Sequence, residues 1–539
     1  MSNKQYISFC FTGHDANISV YSEKLNKFYH FELERIFGLR YFIMENFSDS
    51  QKTYILQYIK NIILSLGFEE TFDVASLLRH HPFTDEGLEK DKDFLKSSFK
   101  ILDFVSYNHH ECHAASAFYL SKFESSLIVS YDGYGNDGNF CIFHGDNNGI
   151  KKQNPYTLTG LTEFYAYVGD FISEIKKKDN DSLINALSNP GKLMGLSAYG
   201  SFDKNIYDPI YDLFQNTIKL GFEGDHNTPF YFRNKHLGTI LNKKISEYSN
   251  TESVNIAYNT QLAFENFFID YFKQFFDSNI HKNVCITGGG ALNVLLNERL
   301  SKMYPNTNFF VPPAPSDCGL SYGSMCLMLK SSVVNETMYS GCPILDEEIL
   351  PNILMYRSWK STDIKKVAED IYTGKIIGLC QGQSEVGPRA LGHRSILADA
   401  RQHNMKDTIN KKVKFREWFR PFAPICCEED ANKYFEISNN VNYKYMSFSP
   451  KVKKEFRNLL TSITHIDGTS RLQTINYNQN PYVYELLREF EKLSGVPILI
   501  NTSFNIKGKP ILTHYQAALQ NLDSSELDGV ILDKYYITK

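Results

Sequence analysis

The feature that most constrains the fold is a device that occurs twice: an apolar run, a polar glycine-bearing turn, and a second apolar run. The first copy is residues 6–11, then Gly13-His14-Asp15-Ala16-Asn17, then residues 18–21. The second is residues 127–131, then Asp132-Gly133-Tyr134-Gly135-Asn136-Asp137-Gly138, then residues 139–143. Each predicts two strands joined by a turn. Such turns expose backbone N–H groups in a concavity suited to phosphate, although one alone is more often just a turn. The duplication gives the pattern its weight.

Around these hairpins, apolar residues recur at helical spacing over 50–66, 112–121, 256–276 and 291–303. Residues 284–287, followed by Gly288-Gly289-Gly290, predict a strand, a glycine turn and a helix. Strands alternating with helices predict an α/β architecture. Polar, proline-containing sequence from 331 to 351 interrupts the pattern. A new α/β run starts near Asp363 with a helix, the strand 376–380 and another glycine-rich turn, which sets a domain boundary near Leu350: residues 1–350 and 351–539.

With 57 basic and 61 acidic side chains the formal charge is -4, which argues against a surface built throughout for nucleic acid or an anionic membrane. The ten cysteines show no CxxC pair, so reduced thiols in a cytoplasmic setting are expected. The N-terminus lacks a basic segment followed by a long apolar one, and no stretch reaches the roughly 18 apolar residues of a membrane span.

Three constellations carry chemistry. His109 and His113 are four apart, so on a helix both imidazoles project from one face and can share a metal. A helix cap and a partly buried ring is the alternative. Asp132 and Asp317, each beside a glycine, are candidate carboxylate partners, and such an N2O2 set suits Fe, Mn or Zn. The Gly288-Gly289-Gly290-Ala291-Leu292-Asn293 turn can hold a phosphate at a helix start, or it is a tight strand-to-helix connection. Between residues 385 and 425, nine Lys or Arg stand against four acids, a local +5 within a chain of -4. The arginines sit in turns rich in glycine and proline, which suits forked recognition of a small phosphorylated anion. Farther on, Ser470-Arg471-Leu472-Gln473 and Ile500-Asn501-Thr502-Ser503 add polar groups, the latter straight after the apolar strand 496–500.

Taken together, GHDANIS, HHECHAASAF, DGYGNDG, KLMGLSAYG, GGGALN, PPAPSDCGLSYG, EVGPRALGHRSILADAR, WFRPFAPI, SRLQT and VPILINTSFNIKGKPI run in order from residue 13 to residue 511. The set resembles the O-carbamoyltransferase family that includes the nodulation-factor, cephalosporin, aminoglycoside and novobiocin carbamoyltransferases. The resemblance implies an α/β protein with an N-terminal actin-like domain (ribonuclease H-like, duplicated) for carbamoyl transfer, and a C-terminal domain resembling the threonylcarbamoyl-adenylate synthase fold. The latter would form carbamoyl-adenylate from carbamoyl phosphate and ATP, with magnesium. The carbamoyl group would then pass to a hydroxyl of a small molecule, sugar or nucleoside, as in natural product biosynthesis.

By the same resemblance His109, His113, Asp132 and Asp317 match metal ligands, with iron(II) expected and other divalent metals open. Gly288, Gly289, Gly290 and Asn293 match a nucleotide-holding loop. Arg389, Lys414, Arg420, Arg471, Asn501 and Ser503 match carbamoyl-phosphate and ATP residues. His14 matches a histidine beside the acceptor hydroxyl, with Asp15 as its rival for the role of base. The chain departs from the family at Glu34-Arg35-Ile36-Phe37-Gly38-Leu39-Arg40-Tyr41, where Arg40 replaces a lysine contact or that contact is lost. No membrane partner is expected, a homodimer is the default, and a nucleotide acceptor stays open. Two rival readings are a threonylcarbamoyl-type tRNA-modifying enzyme and a non-catalytic actin-like regulator.

Overall fold

The computed structural model describes residues 3–11, 13–79, 85–155, 157, 159–175, 182–219, 250–332 and 338–539. Three sheets organise them. The first contains β1 (Gln5–Cys10), β2 (Asn17–Ser22), β3 (Lys27–Glu32), β4 (Thr71–Arg79) and β5 (Lys100–Asn108) in the order β3-β2-β1-β4-β5. The second contains β6 (Ser126–Tyr131), β7 (Phe140–Asp146), β8 (Gly149–Lys152), β9 (Asn283–Thr287) and β10 (Asn308–Phe310), in the order β8-β7-β6-β9-β10. Each is an antiparallel meander of three strands with two parallel strands added beside the first. The two predicted hairpins are thus the leading strands of two sheets with the same connectivity. β1 and β6 are buried along their whole length, as central strands covered on both faces must be.

Four helices position the site: α1 (His109–Ser121), α2 (Asn250–Phe272), α3 (Val294–Met303) and α4 (Leu320–Leu329). α4 lies on the first sheet and α1 on the second, and the two helices pack against each other between them. Their close approach requires Gly323, where a Cβ would stand 1.9 Å from the Cys112 carbonyl oxygen. Helix 291–303 begins later than its periodicity implies. Residues Gly289–Leu292 form a 3-10 turn, and the Asn293 side chain accepts from Leu296 N–H, so the helix starts after its cap.

The third sheet contains β11 (Trp359–Ser361), β12 (Ile377–Cys380), β13 (Arg394–Asp399), β14 (Ala423–Cys427), β15 (Gln473–Ile475), β16 (Ile498–Ser503), β17 (Gly529–Leu532) and β18 (Tyr535–Thr538). Their order is β11-β18-β17-β12-β13-β16-β14-β15. Helices Ile364–Tyr372 and Pro481–Ser494 bury Val367, Ile371, Leu486 and Phe490 with strand residues such as Leu379 and Leu499. A polar seam joins this half to the first. Asn440 Nδ2 lies within hydrogen-bond distance of the carbonyls of Ser301, Tyr304 and Thr307, at and just past the end of α3. His465 shares a 2.8 Å hydrogen bond with the Gly195 carbonyl. Just ahead of the expected boundary, Gly341 N–H donates to Ser384 O and Ser384 N–H to Cys342 O, while Cys342 packs in the core of the first sheet. That segment belongs to both halves. All ten cysteines are free and buried, and among the described residues no helix is long and apolar enough to cross a membrane.

Candidate functional site

α1 begins on an Asn108/Glu111 capping box, and the Asp132–Gly138 turn completes its first turn. Asn136 Oδ1 accepts from His109 N–H and Asp137 Oδ1 from His110 N–H. His110 answers from the helix side: its Nε2 lies 3.0 Å from the Gly138 carbonyl and its Nδ1 2.7 Å from Ser130 Oγ. A carbonyl only accepts, so Nε2 carries the hydrogen. Burial, with the neighbouring His109, pushes the His110 pKa down to about 3, which keeps the ring neutral. It is a strut between helix and turn.

On this frame His109 and His113 meet Asp132, at the end of β6, and Asp317, after β10. His113 Nε2 is 3.0 Å from Asp132 Oδ2 and 3.5 Å from Asp317 Oδ1, and His109 Nε2 is 3.4 Å from Asp317 Oδ1. The two Nε2 atoms are 3.2 Å apart. One donor atom from each of the four residues lies within 4.8 Å of the others. Two imidazole nitrogens and two carboxylates converging in a buried place match the donor set of a first-row divalent metal. The His113 Nδ1 on the far side is buried without a hydrogen-bond partner among the described residues. The four groups also hold one another by charge. Burial alone would lower His109, but Asp317 and Asp132 outweigh it and raise its pKa to about 10. Burial and the mutual repulsion of the acids would raise Asp132, and hydrogen bonds from both histidines bring it below its ordinary value.

The glycine triplet serves this cluster. Gly288 has φ +87°, and a Cβ there would lie 2.2 Å from the Tyr131 carbonyl oxygen. The approach lets Gly289 N–H donate to Asp132 Oδ2 at 2.8 Å, while Gly133 N–H holds Oδ1 at 2.6 Å. Asn293 pairs its amide with Gln261 of α2 besides capping α3.

His14 stands at the edge of the cluster, with Nδ1 3.0 Å from Asp15 Oδ2 and Nε2 3.8 Å from Asp317 Oδ2. Burial would lower its pKa, but Asp317 and Asp15 outweigh burial and raise it to about 9. Asn17 Nδ2 donates to the Asp15 and Asp317 carbonyls, tying the two loops together.

The second constellation gathers at one end of the third sheet. β13, β14 and β15 start there and antiparallel β16 ends there, with Ser395 opposite Ser503, Ala423 opposite Asn501 and Ile425 opposite Gln473. The turns leading into those strands carry Arg389, Lys414, Arg416, Arg420 and Arg471. Burial and mutual repulsion hold this group below its ordinary pKa range: Arg389 is pushed down to about 10, with Arg420 as its main repelling neighbour, and Lys414, Arg416 and Arg471 fall well below their usual values. Lys414 Nζ donates to the Ser503 and Asn505 carbonyls at 2.7 and 2.9 Å. Asn501 Nδ2 donates to Ala390 O and Gln473 Oε1. The Arg471 Nε is buried with no hydrogen-bond partner among the described residues. Arg416 completes the cluster. Its only signal in the sequence is membership of the basic run.

Sequence reasoning also missed the clamp that sets the Glu385–Arg389 turn against the first half. Arg35 and Glu32, both buried, form an ion pair at 3.1 Å. Arg35 donates to the carbonyls of Glu385, at 2.9 Å, and of Gly387, while Glu32 accepts Gly387 N–H at 2.9 Å. Gly387 has φ +94°, and a Cβ there would meet Pro313 O at 2.2 Å. The turn bearing Arg389 is thus pressed against the loop that leads to Asp317. The two constellations adjoin.

Comparison with known proteins places the chain in a family. Residues 38–326 match the model of the carbamoyltransferase N-terminus and residues 368–539 that of the carbamoyltransferase C-terminus. The chain is 33% identical over 458 residues to nodulation protein NolNO of Sinorhizobium fredii, covering 81% of this chain and 64% of that protein. It is 32% identical to nodulation protein NolO of Bradyrhizobium diazoefficiens, with 80% and 79% covered, and 30% identical to nodulation protein U of Sinorhizobium fredii, with 86% of each covered. Among solved structures, full-length HypF in the phosphate- and nucleotide-bound form shares 14% identity at a TM-score of 0.35, over 61% of this chain and 55% of that one.

Proposed function

Since this chain belongs to the carbamoyltransferase family, we propose that its C-terminal half makes carbamoyl-adenylate from carbamoyl phosphate and ATP, and that its N-terminal half passes the carbamoyl group to a hydroxyl of a small molecule. The observation that carries this reading is the group of Arg389, Lys414, Arg416, Arg420 and Arg471 at one sheet end, whose charges repel one another at a cost that a polyanion offsets. Two phosphorylated substrates repel each other for the same reason, so a site that joins them needs fixed cations. In the first step, water releases phosphate from carbamoyl phosphate, and the resulting carbamate oxygen attacks the α-phosphorus of ATP, expelling pyrophosphate. The forked donors of Arg389, Arg420 and Arg471 hold the phosphates, and Lys414, fixed by Ser503 and Asn505, adds a point charge.

In the second step the acceptor oxygen attacks the carbamoyl carbon and AMP leaves, with His14 taking the hydroxyl proton. Asp15, 3.0 Å from His14 Nδ1, orients the ring. His109, His113, Asp132 and Asp317 would hold a divalent metal, with iron(II) our choice, which would offset the carboxylate field on His14 and supply Lewis acidity. The repeated strand order of the first two sheets supports a duplicated, actin-like transfer half.

The test is pyrophosphate release by the full-length protein given magnesium-ATP, with and without carbamoyl phosphate. Release that depends on carbamoyl phosphate and falls about 100-fold in Arg471→Met supports the reading; no dependence in folded wild-type protein refutes it.

A further inference from the structure

A strap of chain, residues 32–42, runs between the two constellations. At one end Ala16 N–H, next to the His14-Asp15 turn, donates to Phe42 O at 3.1 Å. Along its length Thr513 Oγ1 donates to Arg35 O, and Lys509 Nζ to Gly38 O, which anchors it to the C-terminal half. Tyr41, next to the end that meets Ala16, lies in the left-handed region, at φ 57°. An aromatic residue adopts that conformation only where its surroundings enforce it, and such outliers gather at functional sites. What enforces it is local: Tyr41 N–H donates to Glu34 Oε2 at 2.9 Å, and the Arg40 guanidinium lies 4.6 Å from the Tyr41 ring centre. The Tyr41 hydroxyl is buried and has no hydrogen-bond partner among the described residues. The charges that act on it are Arg40 and Arg420 on one side and Asp15 and Glu34 on the other. Arg40 in turn acts on Lys414 and Arg420.

A buried hydroxyl without a partner is costly unless something else fills its hydrogen bond. This one is held by a strained backbone between a phosphate-binding cluster and the His14 turn. We propose that the Tyr41 hydroxyl is a binding group for the activated intermediate, donating to a phosphate oxygen of carbamoyl-adenylate where it lies between its site of formation and His14. The inference rests on the two-step reading above. Phenylalanine at this position keeps the ring, its contact with Arg40 and the backbone, and removes only the donor. Tyr41 therefore acts on the retention of the intermediate, and the cationic cluster on its formation.

The test uses full-length protein, magnesium-ATP and carbon-labelled carbamoyl phosphate without acceptor. Pyrophosphate release is followed, and protein-bound label is measured after rapid desalting. In Tyr41→Phe, pyrophosphate release continues at an initial rate within about twofold of wild type while retained label falls about tenfold. Equal retention overturns the inference alone, and loss of pyrophosphate release in Tyr41→Phe overturns the placement of the hydroxyl after the first step. Absence of pyrophosphate release in wild type overturns the two-step reading and the inference with it. Unchanged thermal midpoint in Tyr41→Phe separates a lost contact to ligand from a loosened strap.

Discussion

Replacing Arg35 by methionine removes the charge of the clamp while keeping most of its volume. Three groups lose their partner: the Glu32 carboxylate at 3.1 Å and the carbonyls of Glu385 and Gly387. Breaking a buried ion pair by deleting one member costs about 3–5 kcal/mol when the remaining group stays ionised, which for Glu32 holds only above its folded pKa. The orphaned carbonyls fall within that range rather than adding to it in full. At roughly 2 °C per kcal/mol, the low end for large cooperative units, the thermal midpoint drops by about 6 °C or more above that pH.

The pH dependence gives a sharper check. Burial raises Glu32 from its ordinary 4.5 to about 7, with Arg35 holding it down. A carboxyl whose folded pKa is raised contributes stability that is fully present below the unfolded value and is lost as pH rises through the folded one. In wild type that loss occupies the window from about 4.5 to about 7. Without Arg35 the folded value climbs further and the loss continues above it. The midpoint gap between wild type and Arg35→Met therefore widens as pH rises past about 7, and Glu32→Gln in the same chain closes most of it. Differential scanning of both proteins across that range, at one scan rate, measures the gap. A gap within about 1 °C, or one that does not vary with pH, would refute the argument that Arg35 holds the Glu32 pKa down.

Two further outcomes follow from the other half of the site. His113→Ala lowers bound iron in protein purified from iron-supplemented cells at least about tenfold by elemental analysis, since it deletes one of four converging donors. Gly288→Ala destabilises the protein by about 1–3 kcal/mol, because it combines an unfavourable φ with a Cβ 2.2 Å from Tyr131 O. The same variant also lowers iron content by moving Gly289 N–H off Asp132; wild-type iron content in folded Gly288→Ala protein contradicts that coupling.

The α/β class, the two leading hairpins and the helix bearing His109 and His113 were legible in the sequence because they rest on local periodicity and turn chemistry. The same holds for the basic character of the 385–425 segment, a property of composition alone. Motif order brought His109, His113, Asp132 and Asp317 together as a group, and the structure places their donor atoms in one cluster. The glycine triplet shows the limit of local reading. Its sequence allowed a phosphate loop or a tight turn, and its observed work is to let Gly289 N–H reach Asp132.

Other features depend on which surfaces meet. Arg35 and Glu32 carry no motif of their own, and their partners lie in the Glu385–Gly387 turn of the other half. Arg416 is one basic residue among nine until the strand ends converge and set it beside Arg420 and Arg471. Tyr41 reads as an ordinary aromatic residue, and only the folded strap shows its left-handed backbone, held by Glu34 and Arg40, and its buried hydroxyl. The elements and the chemical character of each follow from propensity, periodicity and charge, which are local. Which charges face one another follows from packing, because burial and repulsion depend on distances set between segments far apart in the chain.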